Sequence, residues 1–152
     1  MATVTGTRAA STFPAFQAIG SGILCAAYGH YDFAAEPAAA DVLELCKVPK
    51  NAVVLGGFIR MADMDTNATE TLDFDVGTSA DTDAFGNFGV QTGDALAGYL
   101  PEGGILLPLH GTLATDGPYT ASADTVIQVT FVDDPATFGE GNVTLVVYYV
   151  VP

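Results

Sequence analysis

Apolar residues in this chain come in short stretches, either alternating with polar ones or running unbroken, between stops of glycine, proline, aspartate and asparagine. That spacing selects β-strands over helices. Residues 125–132 set Ile127, Val129 and Phe131 on one face and Gln128 and Thr130 on the other. Residues 72–76 set Leu72, Phe74 and Val76 opposite Asp73 and Asp75, which predicts a half-buried strand with a solvated acidic face. Residues 23–33, 42–48 and 53–61 are β-branched, aromatic or apolar, with Gly56-Gly57 marking a bulge or close backbone approach. Residues 105–113 are broken by Pro108 and Gly111, so this strand belongs at an edge or changes direction there. Residues 143–151, VTLVVYYVV, are apolar on both faces and predict a central strand covered on both sides.

Helix has little room. Residues 79–85 allow one turn, with Asp81 as cap and Phe85 inward, and residues 92–99 a second, stopped by Gly98 and Pro101. Residues 1–21 fit neither period and read as an extended N-terminal arm whose Phe13, Pro14 and Phe16 lie against a partner. The expectation is all-β: an antiparallel, jelly-roll-like β-sandwich over residues 22–152, with at most one or two short helices.

Charge is divided along the chain. Arg8, Lys47, Lys50 and Arg60 are its only lysines and arginines, and the four acids of residues 1–60 balance them. The net charge of −14 therefore belongs to residues 61–152. Phosphate backbones and anionic membranes need clustered cations, so neither nucleic acid nor membrane is an expected partner. Charged residues are 14% against roughly 25% in an average domain, while 49% are hydrophobic. That shortage points to apolar surface covered by other chains. The N-terminus lacks the apolar run of a signal peptide, and Cys25 and Cys46 read as buried and reduced.

Catalytic signals are weak, and no enzyme or cofactor is expected. No serine sits in a GxSxG elbow, and no glycine-rich phosphate loop occurs. Cys25 and His30 are five residues apart on one strand and face opposite ways, which does not make a zinc site. Asp63-Met64-Asp65-Thr66-Asn67 opens like a calcium loop, but Ala68 stands where glycine is needed and Phe74 where glutamate is needed. Asp63, Asp65, Asp73, Asp75, Asp81 and Asp83 remain the candidate cation ligands, against a solvated acidic face as the alternative.

The segments VPKNAVVLGGFIRM, LDFDVGTSADTDAF and YLPEGGILLPLHGTL, followed by TVIQVTFVDD and NVTLVVYYVV, resemble in their order the capsid decoration, or cement, proteins of tailed bacteriophages. The resemblance covers residues 48–151. It implies a β-sandwich, often trimeric, on the outer capsid surface over junctions between major capsid protein subunits. Bound there, it would stabilise the shell by adding contacts across those junctions. The neutral first part, with Phe13, Pro14, Phe16, Lys47, Lys50 and Arg60, is then the expected contact side, and the acidic remainder faces solvent. The competing expectation is a tail or fibre module that binds a host receptor or glycan, with Tyr99 and Tyr119 as its exposed aromatics.

Overall fold

The structure, a computed structural model, describes residues 2–6, 10, 22–89 and 105–152. Its strands are β1 (Thr3–Thr5), β2 (Cys25–Phe33), β3 (Val42–Val48), β4 (Val53–Met61), β5 (Asp73–Gly77), β6 (Gly86–Gly89), β7 (Ile105–Pro108), β8 (Tyr119–Thr120), β9 (Thr125–Asp133) and β10 (Gly141–Val150). One four-residue helix, α1 (Thr112–Thr115), interrupts them. Two sheets form, one in the order β1-β3-β9-β5-β6 and the other β2-β10-β4-β7, with β8 pairing β4. From β2 to β5 the chain alternates between sheets. The resulting four-strand orders, β3-β9-β5-β6 facing β2-β10-β4-β7, are those of a jelly roll. The sandwich is thus all-β, as the sequence pattern predicts.

The inner faces supply the core. Leu43, Leu45, Phe74, Val76, Ile127, Val129 and Phe131 of the first sheet meet Val54, Ile59, Met61, Leu145, Val147 and Tyr149 of the second, all buried. Phe33 of β2 sets its ring edge-on to Phe131 of β9, at 5.7 Å between centroids, and so joins the two sheets. At the β2–β3 side the backbones come so close that a Cβ on Gly29 would collide with the Leu45 carbonyl, so glycine is required there. Cys25 and Cys46 are free and buried, and burial pushes the Cys46 thiol up to about 12.

Some elements depart from expectation. Residues 105–113 make a strand only as far as Pro108, at the sheet edge. The chain then turns at Gly111, whose φ of 63° lies in the left-handed region, and enters α1. In residues 78–85 Phe85 does point inward, but Asp81 is not the cap. The Thr78 hydroxyl accepts the Ala80 and Asp81 N–H groups at 3.3 and 3.2 Å. β10 is central in hydrogen bonding, yet only one face is covered. Val143, Leu145, Val147 and Tyr149 are buried while Tyr148 is 38% exposed. Residues 92–99 and most of the arm fall outside the described residues. Of the first 21 residues, Thr3–Thr5 run parallel to β3 and extend its sheet.

Candidate docking face and acidic face

The outward side chains of the β2-β10-β4-β7 sheet follow from strand alternation and register. Tyr28, Val146, Phe58 and Pro108 form one row across all four strands. Tyr148 packs on Phe58 with ring centroids 6.3 Å apart. Around this row Leu106 is 65% exposed, Leu55 49% and Tyr28 46%. Large apolar side chains gathered on one open sheet face are the usual mark of a surface that another body covers. Sequence reading missed these residues because it took the residues of β10 to be covered on both sides. The signal was present in the outward positions of β10, where Val146 and Tyr148 stand in place of polar residues.

The next row, His30, Thr144, Arg60 and Leu106, is polar at its first three positions, and these side chains tie the strands together. His30 Nδ1 and the Thr144 hydroxyl are 2.8 Å apart, and His30 Nε2 lies 3.1 Å from Asp32. Arg60 donates to the Asn142 side-chain oxygen at 2.8 Å. Asp32 is the one carboxylate with a basic side chain within 4 Å among the described residues. Arg60 therefore stands on the apolar face, within one row of Phe58.

The other outer face is acidic. Glu44, Gln128, Thr130, Asp75 and Asn87 project from β3, β9, β5 and β6. Lys47 is here as well, half-buried and opposite Val126 of β9, while Lys50 is exposed in the β3–β4 turn, its N–H donating to Asp124 at 2.9 Å. The structure thus does not gather Lys47, Lys50 and Arg60 into one patch. Phe13, Pro14 and Phe16 lie outside the described residues. Strands from residues 1–60 and from residues 61–152 interleave in both sheets, so the charge division of the sequence does not separate one sheet from the other.

The aspartates have separate tasks. Asp73 and Asp75 are not solvated; they are 1% and 9% exposed. Strand alternation set them correctly on the outer face but says nothing about what covers that face. Asp75 accepts from Thr82 at 3.4 Å and from Asn87 at 2.9 Å. Burial, then the charges of Asp83 and Asp73, push its carboxyl up to about 6. Asp81 is held above the usual carboxylate range by its hydrogen bond with Asp83. Asp63 accepts the Asp65 N–H at 3.1 Å. Asp65, 1% exposed, accepts N–H groups from Asn67, Thr71, Leu72, Ala136 and Thr137. Both its oxygens are occupied by this protein's own backbone. Among the described residues no group of three or more His, Cys, Asp or Glu side chains is placed to hold a metal ion.

No protein-family model matches the sequence, and no curated protein matches it. Solved structures do. A chain in the capsid asymmetric unit of cyanophage Pam1 is 25% identical, with a TM-score of 0.70 over 96% of this chain and 98% of that one. A chain in the capsid of Ralstonia phage GP4 gives a TM-score of 0.78 at 20% identity, covering 99% of both. One in the acidic stable capsid of Helicobacter pylori bacteriophage KHP30 gives 0.61 at 18% identity, covering 88% of this chain and 91% of that one. The last two likenesses concern the fold alone. The fold is thus one found in phage capsid structures, and the match to the cyanophage chain runs nearly end to end.

Proposed function

We propose that this chain is a structural virion protein that decorates the outer surface of a phage capsid. There it stabilises the shell across junctions between subunits of the major capsid protein, its main partner, and assembles as a homotrimer. It works by adding buried contacts, without catalysis or cofactor. The end-to-end likeness to a chain of a phage capsid carries this reading. The sheet faces supply an orientation. The β2-β10-β4-β7 face, with Tyr28, Phe58, Tyr148 and Leu106, packs on the shell, and the β3-β9-β5-β6 sheet lies on the side away from it. Apolar area matters most at such a contact, because desolvated aromatic anchors dominate interface energies.

Mixing purified protein with particles that lack it, then counting bound copies by electron microscopy, tests the proposal. Full-length protein should occupy the shell at a fixed high copy number; binding at the tail alone would favour the tail or fibre module. Tyr28→Ser combined with Leu106→Ser should lower occupancy at least tenfold. Its melting temperature should stay close to that of the parent, since both side chains are exposed. Undiminished occupancy by this variant would remove the assigned face. Phe13→Ser with Phe16→Ser should weaken occupancy in the same assay, through the arm.

A further inference from the structure

A groove of about 310 Å³ opens between β3 and β9 of one sheet, the loop 78–80 after β5, and residues 119–124, where β8 pairs with β4 of the other sheet. Its floor is Gln128, only 4% exposed, whose Nε2 donates to Thr130 at 3.2 Å and so fixes the amide. Glu44 and Asp124 line it, each with one oxygen already engaged. Glu44 accepts the Thr5 hydroxyl at 2.8 Å, and Asp124 accepts the Lys50 N–H at 2.9 Å. Among the described residues nothing else takes the second oxygen of either carboxylate, which leaves an acceptor for a ligand. The hydroxyls of Ser79, Ser122 and Tyr119 add donors, and the Tyr119 ring, braced edge-on by Phe85 at 5.4 Å, forms an apolar wall.

Two carboxylates oppose an anion, while the hydroxyls and the Gln128 amide can each donate as well as accept. A vicinal diol needs an acceptor and a donor side by side, with an apolar wall for its C–H face. The volume is at the small end of ligand sites, enough for one or two sugar rings. We infer that this groove binds a neutral saccharide through Glu44, Asp124, Gln128 and the flanking hydroxyls, with the ring against Tyr119. Sugar binding here is independent of docking through the β2-β10-β4-β7 face and is read on the free protein.

Saturation-transfer difference NMR of the full chain with D-glucose, D-galactose, D-mannose and N-acetyl-D-glucosamine, each in millimolar excess, tests it. At least one sugar should receive saturation and shift the amides of Ser79, Ser122 and Gln128. Glu44→Gln with Asp124→Asn keeps an acceptor for Thr5 and Lys50, so the fold persists. It weakens the charge-assisted hydrogen bonds and should raise the dissociation constant about tenfold. Ser122→Ala should act in the same direction, whereas Tyr28→Ser should change nothing. Silence with all four sugars, or binding unaffected by the groove variants, overturns the inference. So does a result in which arginine methyl ester shifts those amides and no sugar does, which would make the groove a socket for a basic side chain.

Discussion

Asp65→Asn should lower the unfolding free energy by about 3–5 kcal/mol, among the largest effects a single substitution has. The carboxylate closes two loops at once. Its Oδ1 takes the N–H groups of Asn67 and Thr137 at 3.2 and 3.1 Å. Its Oδ2 takes those of Thr71, Leu72 and Ala136 at 2.7, 3.2 and 3.0 Å. An asparagine keeps one acceptor but turns an NH₂ group either at the two donors or at the three. Amides that now meet a donor lose their partner in a site that water reaches poorly, and each costs about 1–3 kcal/mol where it stays buried. The near-isosteric change should therefore be as damaging as Asp65→Ala. Urea unfolding at pH 7 checks this, and a loss below about 1 kcal/mol would show that the loops close without the carboxylate. Thermal melting should fall by roughly 10 °C, at about 2–4 °C per kcal/mol for a chain of this size.

The residues that sequence reading located and those it missed differ in a physical way. Val42–Val48 and Val53–Met61 were legible to the residue, because strand extent depends on local pattern and on stops such as Pro49. The jelly roll was legible as a class from the run of short strands. Its order was not, since β10 finds β2 and β4 from the far end of the chain. Alternation also assigns a side chain to a face without saying what lies beyond it. That is why Asp73 and Asp75 were expected in water and are buried, and why Tyr148 was expected under cover and is open. Asp65 shows the same limit of local pattern. An Asp-x-Asp-x-Asn run collects either a cation or backbone amides, and two of the amides it collects, those of Ala136 and Thr137, lie on a loop some seventy residues away. The docking face and the groove both depend on cross-strand neighbours, which register determines and local pattern does not.

Asp75→Asn should act in the opposite direction and stabilise the protein at pH 7.5 by about 1–3 kcal/mol. The folded chain holds the Asp75 carboxyl at about 6, against 3.8 for the unpaired group, because burial comes first and the charges of Asp83 and Asp73 follow. Its ionised form therefore opposes folding. This cost is fully present above about pH 6 and disappears as pH falls toward 3.8, so the wild-type chain should gain stability on mild acidification. Asparagine carries no charge, and its oxygen still accepts from Asn87 while its NH₂ donates to the Thr82 hydroxyl, which is free to reverse its role. Asp65 sets the acid limb with the reverse sign. Burial would raise its carboxyl, but the hydrogen bonds from Thr71, Ala136, Thr137 and Asn67 outweigh that and hold it below its ordinary value. Its contribution is present above the unfolded value of 3.8 and is lost as pH drops through the lower folded one. Stability should therefore peak between about pH 4 and pH 6. Asp75→Asn should flatten the side of the peak above pH 5 and leave the acid side in place, a contrast that denaturant midpoints at pH 3, 5 and 7.5 would read directly. A variant less stable than wild type at pH 7.5, or an advantage that does not shrink between pH 7.5 and pH 5, would show that Asp75 is not the group that sets the upper limb.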